Sequence, residues 1–422
     1  MYQVPRGTRD FTPDEMQKRR YVEENMKTTF TSFGYGEIQT PTFENLELFT
    51  AKSGDSIIEE IYDFLDKGGR KLALRPELTA PVIRFYVEKL QMEPKPLKLF
   101  YFGNCFRYDR PQKGRYREFQ QAGCEIIGTD TPEAYAELIA LAYNILKNVG
   151  LKNITLNIGN LNIMNFMFTK IGVSKDCKKE LLPLIDKSQF EEVYTVLCDG
   201  GVSKEKADLF IDIVQTSNIN KIKDFIKEDN SAVEDLSNLE KILHLLKNSL
   251  KINNYQIKMS IVRGLDYYKG LVFEIDAPIL GAEKQLCGGG AYDLVSLFGG
   301  RDTPTAGFAI GFDRTILALD AEQFSFPSPK TDVYIIPVNS EMIEKSIEIA
   351  QQLRKEGVIT EFDLLRRGVG KSLKYANSKN SEKAIIIGPQ ELEKDSVTLR
   401  DMKTGDQQLI KIAEILSKIK NH

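Results

Sequence analysis

The chain has 422 residues, 57 lysines and arginines against 60 acidic residues, a formal charge of -3 and 42% hydrophobic residues. That length exceeds one hydrophobic core, so two or three domains are expected, and the composition excludes long disorder, collagen-like repeats and a disulfide scaffold. With no global positive field, any polyanion has to be gripped by a local patch, because salt screens charges beyond roughly 8 Å.

The side chains on hand also restrict the chemistry. The two histidines, His244 and His422, cannot build a Ser-His-Asp or Cys-His nucleophile or a multi-histidine metal site. Five scattered cysteines form no C-x-x-C pair and read as reduced core thiols. The start, MYQVPRGTRDFTPDE, is charged where a signal peptide is apolar, and there is no run of ~18 apolar residues to span a bilayer. The cytosol is the expected compartment, with no membrane partner.

In chain order, Thr12-Pro13-Asp14-Glu15 is a capping box, and Val22, Met26, Phe30 and Phe33 follow at helical spacing until Gly34. A short strand, YGEIQTP, ends at Pro41. From Lys71 to Cys124, strands (KLALRPE, KLFYFGNCFRYD, YREFQQAGCEIIG) enclose one helix, TAPVIRFYVEKL, and the long turns suggest an antiparallel sheet. Residues 133–150 form an amphipathic helix ended by glycine. About residues 165–253, lysine- and glutamate-rich helical segments read as an insertion. Strand patterns return at IKMSIVRGLDYYKGLVFEIDAP and TAGFAIGFD, before the helix RTILALDAEQF. FSFPSPK reads as a linker. Alternating strands and helices then make an α/β domain of about 90 residues.

Two glycine motifs fail as nucleotide sites. GVGKS at Gly368–Ser372 lacks the first Walker glycine, since Leu365 stands there; its Arg366, Arg367, Lys371 and Lys374 suit either nucleic-acid phosphates or a solvated face. CGGGAYD has Asp293 where the Rossmann spacing needs glycine, so its glycines read as a close backbone approach or a tight turn. The stretch FRYDRPQKGRYREFQQAGCE, Phe106–Glu125, is more telling. Strands ending near Asp109 and starting near Arg115 flank a turn with Pro111 and Gly114, so Arg107 and Arg115 converge from a rigid hairpin, as a bidentate grip on phosphate oxygens requires.

These residues carry a resemblance. Phe106-Arg107-Tyr108-Asp109 with Arg117-Glu118-Phe119 resembles motif 2 of the class II aminoacyl-tRNA synthetases, the first helix, strand and Pro41 resemble the dimer-forming motif 1, and Gly307 to Arg314 resembles motif 3. Within that class the chain resembles the histidyl-tRNA synthetase family, through RPELTAP at Arg75, RPQKGRYREF at Arg110, AGCE ending at Glu125, and VRGLDYYKGLVFE at Val262. The likeness covers essentially the whole chain.

The resemblance implies an α+β fold. A class II catalytic domain on an antiparallel sheet with flanking helices would occupy residues 1–325, with the helical insertion at about 165–253 and a C-terminal α/β anticodon-binding domain at 331–422. It further implies that ATP and L-histidine give histidyl-adenylate and pyrophosphate, and that the histidyl group passes to the 3′ end of tRNA(His). The partners are then ATP, Mg²⁺ carried with it, histidine, the tRNA and a second subunit of a homodimer. A carboxylate is already a deprotonated nucleophile, so arginines and Mg²⁺ can carry the catalysis without a histidine base.

Residue by residue, the family assigns Arg107 to the α-phosphate, Phe119 to one adenine face, Arg314 to the other face and the γ-phosphate, Arg115 to the phosphate tail, and Asp109 to the surroundings of ATP and Mg²⁺. Arg263 is the family's catalytic arginine, reaching both the substrate carboxylate and the α-phosphate. Glu125 and Tyr268 take the imidazole nitrogens, with Tyr267 and Tyr292 in the same histidine pocket, and Glu77, Thr79 and Gln121 receive the α-amino group. Gln112 and Lys113 meet the tRNA acceptor end. Buried polar partners of this kind reject analogues by roughly 10⁴ to 10⁵, which leaves no need for editing. Three positions depart from the family: Ala291 and Leu294 stand where its GGRYDGL segment has arginine and glycine, and Asp109 where glutamate is usual. A non-catalytic regulatory relative typically lacks the C-terminal domain and the complete VRGLDYY arginine site, and both are present here.

Overall fold

The computed structural model describes residues 2–51, 59–110, 114–261, 268–327 and 330–420. The chain divides into two compact units, Met1–Phe326 and Pro327–His422.

In the first unit, helix α1 (Pro13–Ser32) begins at the capping box. The Thr12 hydroxyl accepts from the Glu15 N–H, and the Glu15 carboxylate accepts from the Thr12 N–H at 2.7 Å. Its buried stripe of Val22, Met26 and Phe30 meets the main sheet, where the Phe30 ring stacks on Phe100 at 4.8 Å.

That sheet has eight strands: β1 (Gly36–Glu37), β2 (Leu97–Phe106), β3 (Glu118–Ile127), β4 (Thr155–Asn160), β5 (Tyr255–Ile257), β6 (Tyr268–Asp276), β7 (Gln285–Tyr292) and β8 (Thr305–Gly311). Their order is β1-β2-β3-β8-β7-β6-β4-β5, antiparallel except for the two edge pairs β1/β2 and β4/β5. Successive side chains alternate between the two faces. One face carries Ala122, Cys124 and Ile126 of β3 with Ala306, Phe308 and Ile310 of β8 into the main core. The other carries Phe119, Gln121, Gly123 and Glu125 beside Gly307, Ala309 and Gly311. It is the functional face.

Helix α2 (Thr79–Phe85) and the π-turn after it, Tyr86–Leu90, sit on the functional side, where Leu78, Val82, Ile83 and Tyr86 join Leu99, Tyr101 and Tyr292 in a second core. Arg75 is locked in front of α2: it is 6% exposed and donates to the carbonyls of Thr40, Pro41 and Asn104. Three short strands, Phe43–Asn45, Asp63–Leu65 and Lys71–Leu74, make a small side sheet.

On the core face, α3 (Pro132–Asn148) is capped by Thr131. Six helices follow: α4 (Leu161–Ile171), α5 (Lys175–Asp186), α6 (Phe190–Asp199), α7 (Lys204–Gln215), α8 (Ile219–Ile226) and α9 (Asn230–Asn248). The helical run thus begins at Leu161, where about 165 was expected. It has no separate core, because Phe168, Phe210 and Leu236 belong to the same apolar cluster as Phe30, Leu141 and Phe308. Helix α10 (Phe312–Ala321) follows β8 directly. The first half of the expected linker is tied down, since Phe324 and Phe326 lie 5.5 and 5.8 Å from the Tyr21 ring; aromatic burial outweighs the proline-rich flank.

The second unit has strands β9 (Thr331–Pro337), β10 (Thr360–Phe362), β11 (Ser381–Ile387), β12 (Ser396–Asp401) and β13 (Gln407–Lys411), in the order β10-β9-β11-β12-β13. The first two pairings are parallel and the last two antiparallel. Helices α11 (Ile343–Lys355) and α12 (Val369–Ser378) cover the sheet, and Val333, Ile335, Ile349, Leu353, Ile385 and Leu399 fill the core.

Candidate active site

The functional face supplies a floor with almost no side chains. Across the sheet, Gln121 lies opposite Gly311, Gly123 opposite Ala309 and Glu125 opposite Gly307; Ala309 and Gly307 in turn oppose Gly288 and Gly290. The three glycines of CGGGAYD therefore lie inside β7 rather than in a turn. A Cβ on Gly289 would meet the Gly307 carbonyl at 2.5 Å and one on Gly290 the Leu271 carbonyl at 2.4 Å, so close backbone approach is the reason for these two.

Above this floor is a cavity of about 390 Å³, within the size of small-molecule sites, roughly 300–1,000 Å³. Its wall includes Arg107, Asp109, Arg115, Phe119, Gln121 and Arg314. The hairpin strands are shorter than the expected bounds, since β2 stops at Phe106 and β3 starts at Glu118, although the Arg107 N–H still reaches the Arg117 carbonyl at 2.9 Å. Arg107 donates to the Pro76 carbonyl at 2.9 Å, and its guanidinium lies 5.4 Å from the Phe119 ring centre.

Arg314 is fixed at all three nitrogens, by the carbonyls of Gly114 and Gln285 and by Glu283 at 2.7 Å. Glu283 also pairs with Arg115 at 3.0 Å, and Asp109 stands 3.7 Å from Arg115. One carboxylate outside the cavity wall thus holds two arginines that line it. Glu60 lies on the wall as well, and burial raises its pKa. Also on the wall, Asp313 accepts from Arg9 at 2.8 Å, Arg19 at 2.6 Å and the Gln120 N–H at 2.8 Å, tying the N-terminal segment, β3 and α10 together.

The second cluster lies four residues along β3. Glu125 is fully buried, with one oxygen accepting from the Tyr292 hydroxyl at 2.6 Å and the other from the Tyr101 hydroxyl at 2.9 Å. Burial pushes its pKa up to about 8, against the pull of hydrogen bonds from Tyr292, Tyr101 and Thr79. Tyr268 meets Tyr292 edge to face at 6.3 Å. Glu77 accepts from the N–H groups of Thr79 at 2.6 Å and Ala80 at 2.9 Å, which caps α2, and burial raises its pKa too. Gln121 accepts from the Cys105 thiol at 3.3 Å.

Of the residues expected from sequence, Arg107, Asp109, Arg115, Phe119, Gln121 and Arg314 come together around the cavity. Glu77, Thr79, Glu125, Tyr268 and Tyr292 gather around the buried acid. Arg263, Tyr267, Gln112 and Lys113 lie outside the described residues. Sequence reasoning missed Tyr101, Glu283, Asp313, Arg9 and Arg19. A signal existed for Tyr101, because period-2 alternation puts it on one face with Gly103, Cys105 and Arg107. Glu283 carries none.

An arginine-walled cavity on an antiparallel sheet, a buried acid beside it and a C-terminal α/β unit together follow the plan of a class II aminoacyl-tRNA synthetase. The profile described as histidyl-tRNA synthetase matches residues 7–315, and that described as anticodon binding domain matches residues 332–422. The chain is 44% identical to the histidine-tRNA ligase of Methanocaldococcus jannaschii, over 98% of this chain and 99% of that one. It is 43% identical to the histidine-tRNA ligase of Archaeoglobus fulgidus, over 98% of each. Among solved structures, ligand-free histidyl-tRNA synthetase of S. aureus matches with a TM-score of 0.77 and 31% identity over the full length of both chains. The chain belongs to the histidyl-tRNA synthetase family, a family of ATP-dependent aminoacyl-tRNA ligases.

Proposed function

We propose that this chain activates histidine with ATP, forming histidyl-adenylate and pyrophosphate, and transfers the histidyl group to the 3′ end of tRNA(His). The observation that carries this reading is the adjacency of two unlike clusters on one sheet face: three arginines around a cavity, and a buried carboxylate held by tyrosine hydroxyls.

In the first step the histidine carboxylate attacks the α-phosphorus of ATP and pyrophosphate leaves. Both reactants are anionic, so the task is to hold them in line and neutralise the charge that develops on the phosphoryl oxygens. Arg107, just past the end of β2 and still bonded to the Arg117 carbonyl, is assigned to the α-phosphate. Arg115 and Arg314, braced by Glu283, are assigned to the phosphate tail, and Phe119 and the aliphatic part of Arg314 to the two faces of adenine. Arg263, which family likeness puts between the substrate carboxylate and the α-phosphate, keeps its catalytic assignment.

Among the described residues no group of three or more histidines, cysteines or acids is placed to hold a metal ion. Mg²⁺ is assigned to ATP by family likeness, with Asp109, the cavity carboxylate beside Arg115, as its protein contact. Bound there, it would supply further positive charge to the phosphates.

Histidine is assigned to the second cluster. Its imidazole meets Glu125 and Tyr268, with Tyr267 and Tyr292 beside it, and its α-amino group meets Glu77, Thr79 and Gln121. The catalytic domain is assigned to residues 1–325 and the anticodon-binding domain to residues 331–422. The tRNA is held by the latter and by Gln112 and Lys113; on α12 and the turn before it, Arg366, Lys371 and Lys374 are exposed. The protein works as a homodimer through α1 and β1, which resemble the family's dimer-forming element. Among the described residues no helix is long and apolar enough to cross a membrane, and the cytosol is the proposed compartment. Exchange of labelled pyrophosphate into ATP, with each amino acid supplied singly, tests the reading: histidine alone supports exchange. Exchange with another amino acid but not histidine overturns it.

A further inference from the structure

The buried acid of the histidine pocket is held by a residue outside every motif named above. We propose that Tyr101 is a positioning residue for substrate selection: its hydroxyl fixes Glu125 as a hydrogen-bond acceptor for an N–H of the imidazole. This rests on the assignment of Glu125 to histidine.

The geometry is specific. In the β2/β3 ladder Tyr101 lies opposite Gly123, two residues from Glu125 on the same face. A Cβ on Gly123 would stand 2.6 Å from the Tyr101 hydroxyl oxygen, so the ring lies across the neighbouring strand, over the space glycine leaves. On the other side, a Cβ on Gly307 would stand 1.7 Å from Glu125 Oε2, so the carboxyl leans over β8 toward β7. Each carboxyl oxygen then meets its own phenol, Oε1 that of Tyr101 at 2.9 Å and Oε2 that of Tyr292 at 2.6 Å. Tyr101 is 2% exposed and is not on the cavity wall, so its hydroxyl acts through Glu125.

Among the described residues, the groups facing Glu125 are Glu77 and Thr79 at the start of α2, Tyr101 on β2, Cys124 on β3, Tyr292 on β7, and Tyr35 after α1. Burial and Glu77 favour the protonated acid, whereas the hydroxyls favour the carboxylate. The carboxylate accepts a ring N–H far more strongly than the protonated acid does, so removal of one hydroxyl donor makes binding demand a higher pH.

The test is histidine-dependent pyrophosphate exchange from pH 6 to 9 in the full-length protein, for wild type, Tyr101→Phe and Glu125→Gln. Tyr101→Phe is expected to raise the KM for histidine at pH 7 by about tenfold or more, the worth of a hydrogen bond to a charged group. It leaves the KM for ATP unchanged and moves the acid limb of the histidine KM profile to higher pH. Ionisations of histidine itself are common to both proteins and cancel. Tyr101→3-fluorotyrosine, which keeps the ring's shape and strengthens the donor, moves the limb to lower pH and reports even if the phenylalanine variant folds poorly. An unmoved limb, with both KM values or the melting temperature altered together, means that Tyr101 merely fills space, and overturns the inference. If Glu125→Gln keeps a wild-type KM for histidine, the assignment of the pocket fails and the inference with it. If Glu125→Gln loses histidine while both Tyr101 variants behave as wild type, only the role of Tyr101 falls.

Discussion

Glu125 should make the fold less stable as the solution becomes more alkaline, and Glu125→Gln should remove that dependence. In the folded chain the buried carboxyl keeps its proton up to about 8, whereas its ordinary value is 4.5. Folding therefore takes up a proton between those values. The contribution is fully present below about pH 4.5 and is lost as pH rises through about 8, at up to about 1.4 kcal/mol per pH unit. Across the window this amounts to a few kcal/mol. Glutamine keeps the shape, accepts from one phenol through its carbonyl oxygen and can donate its amide to the oxygen of the other, and it does not titrate, so the pH dependence of the stability difference between the two proteins isolates Glu125 from Glu77, which is buried in both. Calorimetric melting at unit pH steps from 5 to 9 measures it. The melting temperature of the wild type should fall relative to the variant by roughly 2 °C per pH unit up to about pH 8, then run parallel. Parallel curves throughout would mean that Glu125 ionises like an exposed acid, and would refute the argument that burial holds its proton.

Gly307→Ala would force a Cβ to within 1.7 Å of Glu125 and 2.5 Å of the Cys124 carbonyl; a cost of about 1–3 kcal/mol and a greatly raised KM for histidine are expected. A wild-type KM in that variant would contradict the floor geometry. Glu283→Gln weakens the brace on Arg115 and Arg314, and should raise the KM for ATP about tenfold while sparing that for histidine. A lowered KM for ATP would instead make Glu283 a competitor of the triphosphate. Asp313→Ala leaves Arg9, Arg19 and the Gln120 N–H without their shared acceptor, and chemical denaturation should register a loss of about 3–5 kcal/mol. A loss under about 1 kcal/mol would show that water replaces the carboxylate at no cost.

Much of the fold was legible because local rules operate there without interference. The capping box at Thr12 and the helical stripe of Val22, Met26 and Phe30 needed no partner to be read, and α1 starts and packs accordingly. The hairpin part of the cavity wall was legible for a different reason, since Arg107 and Arg115 stand close in sequence and a motif can hold them. Three features resisted. The insertion looked separate because its composition changes, yet burial joins Phe168 and Phe210 to the core around Phe308. The phenylalanines of FSFPSPK were hidden by their prolines, although Tyr21, some 300 residues earlier, receives them. Glu283 sits in an irregular turn whose sequence bears no mark of its work.

The sequence by itself determined the chemistry available to this protein. It is nearly free of histidine and sets Arg107, Arg110, Arg115 and Arg117 on one short stretch, because these properties depend on residue type and near spacing. Tertiary structure alone decided which acid is buried, which hydroxyls hold it and which glycines are indispensable. Strand order brings Tyr101, Glu125, Gly307 and Tyr292 together from three antiparallel ladders, and the pKa of Glu125 follows from that enclosure rather than from its neighbours in the chain.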